Sequence, residues 1–344
     1  MIRVLVAEDS AVVRLHLTEL IESDGTMSVV GAAADGEEAV QLAVRLRPDV
    51  ILCDIHMPHL DGYAAARRIM ELAPAPIVMA TASTSPSDAR AAFDAIQAGA
   101  LVLVEKPVGP GHPSADEAAR ELVRTLRLMS EVKVVRRWRP GAPRHPRAVA
   151  ARVRPRVIAL GASTGGPAVV AELLRGLPAP CPCPVLVAQH ITAGFTEAFA
   201  DWLAVATERR VELARNGVRA QPDTVYVAPS GAHLAITRQG VLTLRPPTPE
   251  DRFCPSVSRL LGAVADAYGR AAVGVVLTGM GHDGADGLAR LRAAGGLTIA
   301  QDEASSGVFG MPAAAIAAGA AELVLPPEGI AGALVSVLAG RQVA

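Results

Sequence analysis

Apolar residues over the first 130 positions fall into short runs separated by stretches of helical period. Residues 3–7, 28–32, 50–53, 77–80 and 101–104 are runs of strand length, rich in Val, Ile and Leu. Between them, Val13, Leu17, Leu20 and Ile21 share one helical face, and Ala39, Leu42, Ala43 and Leu46 share another. Strands alternating with helices predict a five-stranded parallel sheet covered on both faces, because each parallel connection must cross over the sheet. In such sheets the site forms at the carboxyl ends of the strands.

The pattern breaks at residues 133–156, which hold nine Lys or Arg, no Asp or Glu, and Pro140, Pro143, Pro146 and Pro155. Such a stretch cannot bury a core and reads as a linker. Alternation then resumes. Strands are expected at 157–160, 184–188, 224–228, 272–278 and 297–300, and helices at 167–175, 255–267, 284–294 and 329–338. Residues 233–236 and 241–244 form an expected hairpin, turned at Arg238-Gln239-Gly240. The second half is thus a doubly wound α/β domain with an inserted hairpin. The expected division is 1–130, a basic linker over 131–155, and 156–344.

Composition changes this picture little. Half the residues are apolar and only 3% aromatic, so the cores are built from Ala, Val, Leu and Ile. A net charge of −1 gives no global pull toward nucleic acid. With the linker set apart, the remainder is acidic, so the basic stretch has an acidic surface available to it. No apolar run reaches the roughly 20 residues that would span a bilayer. The first residues read as a strand and not as a signal-peptide core, which predicts a cytoplasmic protein without membrane insertion. Cys53, Cys181, Cys183 and Cys254 fit no zinc spacing and read as structural thiols.

Chemistry gathers at the strand ends. Glu8 and Asp9 close the first strand and Asp54 the third, a hard oxygen set suited to Mg²⁺. A metal there would neutralise charge while Asp54 attacks a phosphoryl group. Thr81 offers a hydroxyl and Lys106 an ammonium at the neighbouring ends. The loop residues His56 and His59 read as bystanders so far as their side chains are concerned. Asp54 to Gly62, Ala34 to Ala39, and Ala98-Gly99-Ala100 with Lys106-Pro107 together resemble a response-regulator receiver domain. The resemblance implies a flavodoxin-like fold and a histidine kinase as phosphodonor. It makes Asp54 the phosphoacceptor, with Mg²⁺ held by Glu8, Asp9, Asp54 and the His56 carbonyl. Leu103 stands where receivers commonly carry Tyr or Phe, so coupling through packing replaces an aromatic switch.

In the second domain, Gly161-Ala162-Ser163-Thr164-Gly165 lies between a strand and a helix, the setting of a nucleophile elbow. It is not a dinucleotide fingerprint, and the next strand ends in Gln189-His190 and not in an acid. His190 can serve as a general base and Asp283, in another strand-to-helix turn, can orient it. The order Ser163, His190, Asp283 differs from that of α/β-hydrolases. These stretches, with Ala228 to Leu234, Pro255-Ser256-Val257, Thr278 to Gly284 and Gln301 to Pro312, resemble the catalytic domain of CheB-type protein-glutamate methylesterases.

That resemblance covers both domains in order. It implies a phosphorylation-activated serine esterase that hydrolyses glutamyl methyl esters on chemoreceptor cytoplasmic helices and releases methanol, with deamidation of receptor glutamines as a further activity of some members. Ser163 is then the nucleophile, His190 the base and Asp283 the orienting acid, with Met280 and Thr164 supporting the oxyanion and no cofactor for the esterase step. The unphosphorylated receiver is expected to cover the Ser163 cleft. Ile191, His282, Ser258 and Arg259 depart from the family's usual residues. The alternative is a phospho-regulated adaptor whose hydrolase domain only docks. A DNA-binding output is opposed by the acidic second domain and the lack of a helix-turn-helix pattern.

Overall fold

The computed structural model describes residues 1–81, 102–107, 115–132, 153–192 and 194–341. The chain divides into two units, Met1–Arg137 and Trp138–Ala344. Most of the expected linker, the Ala98-Gly99-Ala100 motif and the helix expected after the fourth strand lie outside the described residues.

The first unit is built on β1 (Ile2–Ala7), β2 (Met27–Ala33), β3 (Val50–Asp54), β4 (Ile77–Thr81) and β5 (Val102–Glu105). They form a parallel sheet in the order β2-β1-β3-β4-β5. Every residue of β3 and β4 is buried, as a sheet covered on both faces requires. Helices α1 (Ala11–Ser23), α2 (Gly36–Leu46), α3 (Gly62–Leu72) and α4 (Ala115–Ser130) flank it. Leu17 and Ile21 of α1, and Ala39, Leu42 and Ala43 of α2, are the buried residues of the predicted faces. Asp35 and Asp61 turn out to be helix caps, accepting from Glu38 N and Ala64 N at 2.8 Å each. Glu38 in turn accepts from the N–H of Ala34, the residue before the cap, at 2.8 Å, which ties the entering chain to the first turn of α2.

The second unit carries seven parallel strands in the order β14-β13-β12-β6-β7-β9-β8. These are β6 (Val157–Ala162), β7 (Val185–Gln189), β8 (Arg210–Leu213), β9 (Thr224–Val227), β12 (Ala272–Val276), β13 (Leu297–Gln301) and β14 (Leu323–Leu325). The hairpin β10 (His233–Ile236) and β11 (Leu242–Arg245) is a separate antiparallel pair that packs on the helix Val257–Tyr268.

The unit's helices are α5 (Gly166–Gly176), α6 (Thr196–Thr207), α7 (Val257–Tyr268), α8 (Ala285–Ala293), α9 (Met311–Ala317) and α10 (Pro327–Leu338). Of these, α6 and α9, and the short edge strands β8 and β14, lie outside the elements that the apolar pattern predicts. The strand expected at 272–278 stops at Val276, because Thr278 leaves the ladder to bond Thr164 O and Val308 N through its hydroxyl.

Candidate functional site

In the first unit the strand order places its switch point between β1 and β3. Glu8 and Asp9 follow β1, Asp54 ends β3, Thr81 ends β4, and Lys106 follows β5. One carboxylate oxygen each from Glu8, Asp9 and Asp54 lies within 4.8 Å of the others. Lys106 Nζ sits 2.7 Å from Glu8 Oε2 and 2.8 Å from Asp54 Oδ1.

Its backbone is fixed as well, since Lys106 N donates to Thr81 O at 2.7 Å. Burial raises the Glu8 carboxyl above its ordinary range, with the Asp54 charge adding to the rise against the pull of Lys106. Burial works hardest against the Lys106 charge, yet the two carboxylates outweigh it and raise that group's pKa. A donor set of carboxylate oxygens alone, held by strand ends, fits a hard divalent cation such as Mg²⁺. His56 is exposed in the turn after β3, and neither its side chain nor that of His59 joins the acidic group.

In the second unit the switch point falls between β6 and β12, with β7 on the other side of β6. Ser163 follows β6, His190 follows β7, and Asp283 lies in the turn after β12. The register pairs Ala162 with Gln189, and His190 N donates to Ala162 O at 2.9 Å, so Ser163 and His190 emerge side by side. Three bonds hold the Ser163 backbone. Its N–H donates to Thr278 O at 3.0 Å, and its carbonyl accepts from Gly166 N at 2.8 Å and Gln189 Nε2 at 2.7 Å. Gly165 caps α5 at φ 74°, the left-handed conformation that turns the chain sharply after the serine.

Gly279 explains how the Met280 turn approaches so closely. A Cβ there would lie 2.6 Å from Ser163 Cβ, so only glycine fits. The Gly279 N–H is taken by Val308 O at 3.0 Å. Among the described residues no acceptor engages the Met280 N–H, which leaves a donor beside Ser163.

His190 Nε2 and Asp283 Oδ2 are 2.9 Å apart. Asp283 also accepts from Val257 N at 2.7 Å, Ser258 N at 2.9 Å and Ser256 Oγ at 3.0 Å. The carboxylate is therefore the anion at the start of α7, although it belongs to the turn before α8. Burial pushes its pKa upward most strongly, but the His190 bond and charge and the Ser258 and Val257 N–H groups together prevail, bringing it to about 2. An ionised acceptor selects the Nε2–H tautomer of His190 and leaves the Nδ1 lone pair to take a proton.

Several neighbours have roles that the sequence pattern does not assign. Phe253 stacks on His190, with ring centroids 4.6 Å apart and an interplanar angle of 4°. Gln189 ties the Ser163 and His190 carbonyls together, and Gln301 Oε1 accepts from Thr278 N at 2.8 Å. Polar side chains ending buried strands signal Gln189 and Gln301; nothing in the local pattern signals Phe253.

Two parallel α/β units, one ending its strands in an acidic cluster with a lysine and the other in Ser, His and Asp, define a regulator joined to a hydrolase-type domain. Residues 158–334 match the CheB methylesterase family and residues 4–113 the response regulator receiver domain. The chain belongs to the CheB methylesterase family. It is 44% identical to protein-glutamate methylesterase/protein-glutamine glutaminase 4 of Geobacter metallireducens, over 98% of this chain and 99% of that one. It is 46% identical to the protein-glutamate methylesterase/protein-glutamine glutaminase of Nitrosospira multiformis, over 99% of this chain and 98% of that one. The crystal structure of the Thermotoga maritima CheB methylesterase catalytic domain covers 53% of this chain and 98% of its own, at 35% identity and a TM-score of 0.51.

Proposed function

We propose that the chain is a protein-glutamate methylesterase whose activity is set by phosphorylation of Asp54. The observation that carries the reading is the His190–Asp283 pair, held at 2.9 Å beside the backbone-clamped Ser163. Ser163 Oγ attacks the ester carbonyl as His190 Nδ1 takes its proton. Asp283 balances the imidazolium, and the Met280 N–H, with the Thr164 turn beside it, donates to the oxyanion. His190 then protonates the departing oxygen and methanol leaves. Water, deprotonated by His190, releases Ser163 and a free glutamate. An amide in the ester's place would release ammonia by the same steps, which is the glutaminase reaction in the relatives' names.

In the first domain, Glu8, Asp9, Asp54 and the His56 carbonyl would hold Mg²⁺, which screens the carboxylate charge against an incoming phosphoryl group. Lys106 and Thr81 stand at neighbouring strand ends to contact the phosphoryl oxygens. The substrates on this reading are methylated chemoreceptor helices, the phosphodonor is a histidine kinase, and the reaction takes place in the cytoplasm. No helix among the described residues is long and apolar enough to cross a membrane. The unphosphorylated receiver restrains the esterase, so removing residues 1–130 raises the rate above that of the unphosphorylated chain.

The test is methanol release from purified methylated receptors by the wild-type chain and by Ser163→Ala. The variant is expected to lose turnover while still accepting phosphate at Asp54. Turnover retained by Ser163→Ala rejects the assignment.

A further inference from the structure

The stacked aromatic ring on His190 has a built support. Asp251, two residues before Phe253, accepts from Thr248 N at 2.7 Å, Thr248 Oγ1 at 2.9 Å and Arg259 Nε at 2.6 Å. The buried His233 stands on the same segment. Its Nε2 is 3.2 Å from Asp251 Oδ2, and its Nδ1 accepts from Ser256 N at 3.1 Å. Ser256 in turn donates through Oγ to Asp283. The segment from Asp251 to Ser258 is thus pinned on both sides of Phe253. One end holds Asp283 and the middle lies flat on His190. The Cζ edge of Phe253 also faces Gly281, where an added Cβ would sit 3.7 Å away. The ring therefore fills the space between the imidazole and the Met280 turn.

His190 is fixed by Asp283 at one nitrogen only, and a single hydrogen bond leaves the imidazole plane free to swing about that contact. A face-to-face neighbour removes this freedom, and its π-face also suits the imidazolium that forms during proton transfer. We propose that Phe253 is a positioning residue for His190, holding the imidazole plane so that Nδ1 meets Ser163. The proposal rests on His190 acting as the base, and it adds a residue outside the set of Ser163, His190 and Asp283. The segment that carries it is anchored by the bonds of Asp251 to Thr248 and Arg259 and by the Ser256 N–H on His233 Nδ1.

The experiment uses the full-length chain with phosphodonor and methylated receptor. Phe253→Leu is expected to lower kcat about tenfold while KM stays within about twofold, because a misaligned base costs the transition state and not binding. Phe253→Tyr, which keeps the ring, is expected to retain at least about half of kcat. An unchanged kcat in Phe253→Leu overturns the proposal. So does a Tyr variant as slow as the Leu variant, or a change in KM alone.

A second readout needs no substrate. In wild-type protein carrying ¹³C-labelled histidine, the His190 ring protons, assigned by their loss in His190→Gln, should lie upfield through the Phe253 ring current. Unshifted signals overturn the stack. Because this measurement is independent of turnover, it separates failure of the stacking proposal from failure of the esterase reading.

Discussion

His190 presents Nε2, not Nδ1, to Asp283, at 2.9 Å. On the proposed mechanism Nδ1 is the nitrogen left to take the Ser163 proton, and the carboxylate that holds Nε2 is itself clamped by three donors at the start of α7. One carboxylate both holds the His190 ring and receives the first N–H groups of α7, so its loss should be felt twice.

The catalytic consequence is the larger. Asp283→Asn is expected to lower kcat by about 10³ to 10⁴, since an amide neither selects the Nε2–H tautomer nor balances the imidazolium. Steady-state methanol release checks this; a loss below about tenfold would mean that His190 is oriented by other means.

The structural consequence appears in acid. Folded Asp283 titrates at about 2, below its ordinary 3.8, so the unfolded chain binds the proton more readily. The resulting stabilisation, about 2 kcal/mol, is present above pH 3.8 and drains away as pH falls through 2. Urea unfolding between pH 5 and pH 2 should show a steeper fall for the wild-type chain than for Asp283→Asn, because Asp251 and Asp24, also held below the ordinary range, keep their share in both. Parallel curves for the two proteins would mean that another group causes the acid sensitivity.

Much of the fold and the site is legible in the sequence, and the limits have physical causes. Strand ends can be placed because buried parallel strands are continuous apolar runs, and Asp54, Ser163 and His190 each close or follow such a run directly. The edge strand β8 escapes the pattern because Arg210 and Glu212 interrupt its apolar residues, and β14 because its apolar run is only three residues long. Asp283 is legible as a carboxylate in a turn but not as the cap of α7, a helix that begins 26 residues earlier in the chain. Phe253 is invisible for the same reason: its partner is fixed by tertiary packing and not by spacing.

Gly279 offers a steric test. Gly279→Ala would place a methyl 2.6 Å from Ser163 Cβ and 2.5 Å from Met311 Sδ. The thioether can move, but the serine Cβ is held by its backbone bonds, so the Met280 turn must retreat. Activity is expected to fall about 100-fold, with a lowered melting temperature, as a displacement of about 1 Å at an oxyanion donor would bring. Near-normal turnover would remove the Met280 N–H from the mechanism.

Lys106 provides the corresponding test in the first domain. It lies 2.7 Å from Glu8 and 2.8 Å from Asp54, and neutralises charge that a cation would otherwise meet. Lys106→Met should melt at a lower temperature without divalent ion, and Mg²⁺ should raise its melting temperature by more than that of the wild type. Equal Mg²⁺ responses would show that the lysine and the ion do not share these carboxylates.

Two sites are joined in one chain, and everything proposed for their joint action depends on Asp54 controlling Ser163. The direct measurement is the rate of methanol release from methylated receptors with and without acetyl phosphate and Mg²⁺, in the wild-type chain and in Asp54→Asn. Control by Asp54 requires a clear stimulation of the wild type and none of the variant. A wild-type rate indifferent to the phosphodonor, or an Asp54→Asn chain stimulated equally, would show that Ser163 works without regard to Asp54.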